Sequence, residues 1–139
     1  MSDTPEQTVA LAARHILVVD DETALAELLR EVLLVRGYRV SAFTNPQAAL
    51  AAYQHNPLSF DALITDQTMP GLSGLDLIRE IRHINPLLPV ILASGYSNVI
   101  DAASAGALGV HCFFQKPYQV QLLVEQLASL LRSHRQAQQ

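Results

Sequence analysis

The stretch HILVVDDETALAELL, residues 15–29, changes character in its middle. Residues 16–19 form a short run rich in β-branched side chains, which is typical of a strand buried on both faces of a sheet. Asp20 and Asp21 follow directly. From Thr23 onward the apolar residues recur every three or four positions, as they do in an amphipathic helix. The stretch therefore predicts a strand, an acidic turn and a helix in succession.

One apolar stripe of this first helix is predicted to pack on the sheet. Its members follow the i, i+3, i+4, i+7, i+8 spacing and are Leu25, Leu28, Leu29, Val32 and Leu33. Gly37 then occupies the place of a left-handed C-terminal cap, so we expect the helix to end there.

The same alternation continues along the chain, with Asn45 and Pro46 as a second helix start. The later strands are predicted at 38–43, 60–65, 90–93 and 112–114, and the later helices at 47–54, 75–82, 98–108 and from Val120. Five strand–helix units predict an α/β fold in three layers, in which right-handed crossovers make a doubly wound, five-stranded parallel sheet. We expect an N-terminal arm at 1–13, one domain at 14–132 and a C-terminal tail at 133–139.

The composition argues against several functional classes. The formal net charge is −4, and the nine Lys and Arg residues form no basic block, so direct contact with nucleic acid is not expected. No apolar run approaches the roughly 20 residues of a membrane span. Cys112 is the single cysteine, and no signal-peptide pattern is visible. We expect a cytoplasmic domain that makes no membrane contact by itself.

Polar residues follow the ends of four predicted strands, and parallel strands bring those ends to one rim of the sheet. These residues are Asp20, Asp21, Asp66, Ser94 and Lys116. Two carboxylates about 4 Å apart repel by roughly 4 kcal/mol at an effective dielectric of 20, and a divalent cation removes that penalty. Oxygen ligands without His or Cys suit Mg²⁺, which is the predicted cofactor.

Other interpretations of these residues exist. The Asp20–Asp21 pair could instead favour the helix N-terminus, and Ser94 could bond the local backbone. The predicted position of Asp66 beside a metal and Lys116 favours a chemical role for this carboxylate. A carboxylate can attack phosphorus while an ammonium balances the developing charge. Pro117 restricts the backbone at Lys116 and is the candidate for a cis peptide bond.

Four motifs at these positions carry a family resemblance. LVVDDE (17–22), TDQTMPGLSG (65–74), LASG (92–95) and FFQKPY (113–118) resemble the CheY-like receiver domain of two-component response regulators. The resemblance covers about residues 14–132. It implies a flavodoxin-like sheet with strand order 2-1-3-4-5.

The resemblance also implies roles for individual residues. Asp66 resembles the phosphoacceptor, which takes a phosphoryl group from the phosphohistidine of a sensor histidine kinase or a histidine phosphotransfer protein. The implied Mg²⁺ ligands are Asp20, Asp21, Asp66 and the backbone carbonyl of Thr68. Ser94 and Lys116 resemble the phosphoryl-binding residues that switch the surface of the fourth helix, fifth strand and fifth helix, which is also a candidate homodimer surface.

Three further positions follow from the resemblance. Phe113 occupies the place of the switch aromatic, although we expect packing in the core to be its main contribution. Gln67 and Tyr96 are candidate modulating residues. Side chains at the places of Thr68 and Tyr96 influence, in the family, how fast the phosphoryl group is hydrolysed.

The expected function is thus a self-phosphorylating signalling domain in a two-component system or phosphorelay, with no turnover of a separate substrate. The stretch PVILASGYS (89–97) is similar to the receivers of hybrid histidine kinases; a stand-alone regulator or a relay intermediate are the other settings. A haloacid-dehalogenase-type phosphatase is disfavoured because no second Asp stands two residues after Asp66. A flavin carrier is disfavoured by the acidic DDET (20–23), and a phosphorylation-independent binding module by the complete set of site residues.

Overall fold

The computed structural model describes residues 14–95 and 102–138. Its strands are β1 (His15–Val19), β2 (Arg39–Phe43), β3 (Ala62–Asp66), β4 (Val90–Ser94) and β5 (Cys112–Gln115). Its α-helices are α1 (Thr23–Val35), α2 (Pro46–His55), α3 (Gly74–Ile84), α4 (Ala102–Ala107) and α5 (Val120–Gln138), and a short 3₁₀ helix covers Pro57–Ser59. The predicted arm, Tyr96 and the predicted start of the fourth helix at 98 lie outside the described residues.

The five strands form one parallel sheet in the order β2-β1-β3-β4-β5, which confirms the expected fold class. The three central strands, β1, β3 and β4, are buried along their whole length. Continuous apolar runs mark these strands in the sequence because helices cover both faces of the sheet.

The core consists of two apolar clusters, one on each face of the sheet. Along β1, Leu17 and Val19 belong to the first cluster and Ile16 and Val18 to the second, since successive side chains point to opposite faces. The first cluster contains side chains of α2 and α3, and the second contains side chains of α1 and α5. Three layers result, as predicted.

The helix ends follow local signals in the sequence. The Asn45 side chain accepts a hydrogen bond from the Ala48 amide at 3.1 Å, and Gly37 has a φ of 96°, both as predicted. Ser73 forms a capping box with Asp76 at the start of α3. At the other end of the chain, α5 continues to Gln138, past the predicted domain boundary at residue 132.

The predicted stripe on α1 is correct at Leu29 and Leu33, which are buried, and wrong at Leu28, which is 46% exposed. Ala26 is buried in its place, so the contact line runs through 26, 29 and 33. Leu28 lies about 100° around the helix from Leu29, so its side chain points away from the face of the sheet on which Leu29 packs.

His15 is buried at the start of β1. Its Nδ1 lies 2.7 Å from the Ser59 hydroxyl and its Nε2 lies 2.7 Å from the Ser41 hydroxyl. The ring also stacks on Phe60, with centroids 4.4 Å apart. His15 therefore joins β1, β2 and the 3₁₀ helix at the amino ends of the strands.

None of the helices in the described part of the chain is both long enough and apolar enough to cross a membrane.

Candidate functional site

Three aspartates meet at the carboxyl ends of two neighbouring strands. Val19 of β1 pairs with Thr65 of β3, so Asp20 and Asp66 come next on adjacent strands. Asp20, Asp21 and Asp66 each offer a carboxylate oxygen, and these oxygens lie within 4.8 Å of one another. The register of the sheet thus produces the acidic cluster that the strand ends predicted.

This cluster is suited to a divalent cation. Asp20 and Asp66 are buried, whereas Asp21 is exposed and opens the cluster to solvent. Thr68 lines the same cavity, which has a volume of about 720 Å³. Hard oxygen donors around an open position fit a cation such as Mg²⁺, which retains part of its water shell in proteins.

The start of α1 orients the first aspartate. The Glu22 amide donates a hydrogen bond to Asp20 Oδ1 at 2.9 Å. Glu22 itself holds the N-cap position of α1, where its side chain makes no capping bond. The bond from the Glu22 amide to Asp20 is the support that the described residues give to the alternative in which the aspartate pair serves mainly as a helix cap. The same bond fixes the Asp20 carboxylate at the rim of the sheet.

Lys116 neutralises part of the acidic cluster. Its Nζ lies 2.6 Å from Glu22, 3.0 Å from Asp20 and 3.4 Å from Asp66. The Lys116 amide donates to the Ser94 carbonyl at 2.8 Å, and the peptide bond to Pro117 is cis. The ammonium therefore connects the ends of β1, β3 and β5.

Glu22 is a site residue that the sequence patterns did not single out. It directly follows the Asp20–Asp21 pair, and this adjacency was the available signal. Its pairing partner is far away in the sequence, so only the folded chain shows the contact with Lys116.

Burial and like charge shift the proton affinities of the aspartates. Burial, followed by the charge of Asp20, raises the pKa of Asp66 to about 6, and the opposing charge of Lys116 does not offset this. Burial also raises the pKa of Asp20. For Lys116, burial lowers the pKa, but hydrogen bonds to Glu22 and Asp20 outweigh it and the net pKa is raised. The cluster therefore favours uptake of positive charge, whether a proton or a cation.

Two other predicted site residues lie beside the cluster. Ala93 pairs with Asp66, so Ser94 is one residue further along β4, and it is fully buried. Gln67 is also buried, and its Oε1 accepts a hydrogen bond from the Leu75 amide at 2.8 Å. The Gln67 side chain therefore holds the start of α3 to the end of β3.

Phe113 differs from its expected environment. The prediction that it packs mainly in the core is wrong, because its exposure is 42%. β5 is an edge strand of the sheet, and its side chains alternate between partly buried and exposed. Cys112 and Phe114 pack against the cluster that contains α1 and α5, which leaves Phe113 on the more open face.

An apolar wall adjoins the acidic cluster. The cavity that contains Asp66 is also lined by Leu25 and Leu28 of α1 and by Pro117 and Tyr118 after β5. Acidic and apolar groups thus share one opening.

A doubly wound sheet with an acidic cluster and a lysine at its carboxyl edge defines a class of phosphorylation-dependent signalling domain. Residues 16–128 match the family model of the response regulator receiver domain, and the chain belongs to this family. Receiver domains interact with histidine kinases or phosphotransfer proteins.

Similar proteins support the assignment. The transcriptional regulatory protein FixJ of Bradyrhizobium diazoefficiens is 32% identical over 118 residues, which is 85% of this chain and 57% of FixJ. The chain therefore spans little more than half the length of this relative.

Solved structures match over nearly their whole length. A receiver domain protein from Clostridium thermocellum has a TM-score of 0.82 at 30% identity, covering 89% of this chain and 98% of that one. TrrA from Thermotoga maritima, in complex with Mg²⁺-BeF, has a TM-score of 0.74 at 33% identity, covering 84% and 98%.

Proposed function

We propose that Asp66 accepts a phosphoryl group from a phosphohistidine in a two-component system or phosphorelay. The position of the Asp66 carboxylate carries this proposal. It is buried at the end of β3, clustered with Asp20 and Asp21 and 3.4 Å from the Lys116 ammonium. A carboxylate in such a site can act as a nucleophile, because neighbouring charges are arranged to stabilise a phosphoryl group.

In the proposed transfer an Asp66 carboxylate oxygen attacks phosphorus. The new O–P bond forms as the P–N bond of the phosphohistidine breaks. The bonding electron pair returns to the imidazole, which takes up a proton from solvent. Lys116 pairs with a phosphoryl oxygen, and the Ser94 hydroxyl donates a hydrogen bond to another.

The proposed cofactor is Mg²⁺, held by Asp20, Asp21, Asp66 and the Thr68 carbonyl. When bound it neutralises negative charge on the transferring phosphoryl group. The oxygen-only donor set supports this choice, and so does TrrA, which has been solved in complex with Mg²⁺-BeF.

The phosphodonor is proposed to be a histidine kinase or histidine phosphotransfer protein that docks over α1. Leu28 is 46% exposed and lines the same cavity as Asp66. A partner that covers this leucine would bring its histidine to the acidic cluster and exclude water from it. Exposed apolar side chains beside a reactive group are a common basis for such contacts.

The proposed output is a change in the α4–β5–α5 surface. Phosphorylation can bias two packings only through its different interaction energies with them, and Lys116 and Ser94 supply that difference. Phe113 on β5 and Leu122 on α5 are exposed, which provides apolar groups for a partner or for a second copy of the chain.

A haloacid-dehalogenase-type phosphatase is not favoured. Thr68 stands where that chemistry needs a second acid, and its hydroxyl is a poor proton donor at neutral pH. The proposal includes no turnover of a separate substrate. Steady hydrolysis of a phosphomonoester by the purified chain would contradict it.

The proposal is tested by intact-mass measurement after incubation with acetyl phosphate and Mg²⁺. The wild-type chain should gain one hydroxylamine-sensitive phosphoryl group, and Asp66→Asn should gain none. Asp76→Asn is the matched control, since Asp76 makes its contacts at the start of α3 with Ser73 and Arg79. Equal phosphorylation of Asp66→Asn would place the acceptor elsewhere, and an unmodified wild type would favour a phosphorylation-independent binding module.

A further inference from the structure

The Lys116 ammonium is closest to the carboxylate that lies outside the aspartate cluster. Its contact with Glu22 is 2.6 Å, compared with 3.4 Å to Asp66. The Glu22 side chain is 63% exposed, whereas the Asp66 side chain is 6% exposed. One partner of Lys116 is therefore fixed in the protein, and the other lies at the surface, where solvent can replace the contact.

We propose that Glu22 is a positioning residue that competes with the phosphoryl group for the Lys116 ammonium and so slows phosphorylation of Asp66. This inference rests on the proposed function of Asp66. It assigns to Glu22 a part in setting how readily the site is phosphorylated.

Competition follows from the placement of the two acids. The ammonium lies 2.6 Å from the Glu22 carboxylate and 3.4 Å from the Asp66 carboxylate, so its shorter contact is with the acid that does not receive phosphorus. The Lys116 ammonium has three N–H donors, and the short, strong contact with Glu22 occupies one that a phosphoryl oxygen could otherwise use.

The charge of Glu22 acts in the same direction. Glu22 lines the cavity through which a phosphodonor reaches Asp66. A carboxylate at this opening repels an anionic donor, and removing its charge should help the donor enter. The same charge attracts Mg²⁺, so the two effects are separated only when the cation is saturating.

The first test is the rate of phosphorylation of Glu22→Gln by acetyl phosphate at saturating Mg²⁺. The expected rate is about two- to five-fold above wild type, the range that corresponds to an exposed ion pair. Glu27→Gln is the matched control. It removes the same charge five residues further along the chain, where the partner is Arg30 at 3.5 Å, and should leave the rate unchanged.

The second test observes Lys116 itself. In Mg²⁺-free buffer the ¹⁵Nζ resonance of Lys116 should differ between wild type and Glu22→Gln and be the same in wild type and Glu27→Gln. Adding Mg²⁺, beryllium and fluoride, the combination bound to TrrA, should bring the Glu22→Gln and wild-type resonances together.

These outcomes separate the inference from the proposed function. If Glu22→Gln is phosphorylated no faster than wild type, or if its Lys116 resonance is unchanged in Mg²⁺-free buffer, Glu22 does not compete and the role of Asp66 stands. If the wild type acquires no phosphoryl group under the same conditions, the proposed function itself fails.

Discussion

Gly74 packs against the backbone carbonyl of Asp66 so closely that no side chain fits between them. A Cβ at position 74 would collide with that oxygen and would also lie 2.9 Å from Leu92 Cδ1. The first residue of α3 thus limits how far the end of β3 can move. Glycine is required at position 74 because there is no room for a side chain. Its backbone conformation is not the reason, since the glycines with positive φ in the described chain are Gly37, Gly71 and Gly109.

Gly74→Ala should therefore destabilise the domain and displace the proposed acceptor. Overpacking of this kind costs about 1–3 kcal/mol, measurable as a lower urea midpoint. Gly106→Ala is the control, because nothing lies within 4 Å of its added methyl group. It should be neutral or stabilising by up to about 1 kcal/mol. Equal midpoints for the two variants would contradict the close contact with Asp66.

Asp66→Asn should stabilise the protein at neutral pH in the presence of a chelator. The pKa of Asp66 is about 6 in the folded chain and 3.8 in the unfolded chain, so the folded chain binds more protons between these values. Stability due to this group is therefore present at low pH and is lost as pH rises from about 4 to 6. Asp66→Asn has no ionisable group at this position and therefore avoids this loss in the free energy of unfolding, which is roughly 3 kcal/mol at most.

Thermal unfolding at two pH values checks this expectation. Asp66→Asn should melt several degrees above wild type at pH 7.5, and the difference should shrink toward pH 4. Asp76→Asn should melt below wild type at pH 7.5, because the hydrogen bond with Ser73 lowers the pKa of Asp76, and this difference should persist down to about pH 4. A wild type that melts above Asp66→Asn at pH 7.5 would show that burial of this charge carries no penalty.

Leu28→Glu should impair phosphorylation by a protein donor far more than phosphorylation by acetyl phosphate. The expected loss is about tenfold, since an apolar anchor in an interface is replaced by a charge. The measurement uses a purified, phosphorylated histidine phosphotransfer protein that is active on the wild type. Leu34→Glu is the control, with 43% exposure on the same helix. Similar losses in both variants would argue against docking at Leu28.

Lys116→Ala should retain phosphorylation of Asp66 in part and lose the conformational response. The ammonium connects the ends of three strands. Without it, a change of charge at Asp66 should no longer move β5. Chemical-shift changes on β5 and α5 after phosphorylation should be large in wild type and small in the variant. The same changes in both proteins would refute a coupling role for Lys116.

His15→Asn should flatten the dependence of stability on pH below neutrality. Burial, followed by the charge of Arg39, lowers the pKa of His15 from 6.5 in the folded chain. The stability it contributes is therefore full above pH 6.5 and decreases as pH falls. The urea midpoint of wild type, taken relative to the variant, should drop between pH 7.5 and 5.5. A constant difference across this range would exclude titration of His15.

Much of the fold follows from local patterns. Buried parallel strands are short apolar runs, and the helices between them show a period near 3.6, so the alternation can be recognised in the amino-acid sequence itself. The aspartates are predictable for the same reason, because all strands of a parallel sheet end at one rim. The strand order was implied by the family resemblance, since an apolar run does not show which strand is its neighbour.

Other features depend on contacts between distant parts of the chain. Leu28 and Leu29 are neighbouring residues of the same type, yet the orientation in which α1 packs on the sheet buries Leu29 and exposes Leu28. Phe113 is as apolar as Phe114, and it is exposed because β5 lies at the edge of the sheet.

The sequence by itself determined the class of fold, the rim where the aspartates gather and the family to which the motifs belong, because periodicity and strand ends are local properties. Only the tertiary structure decided that Lys116 lies closer to Glu22 than to Asp66, and that an exposed leucine shares their cavity. Those facts depend on side-chain distances across the sheet, which are set when the separate helices and strands pack together.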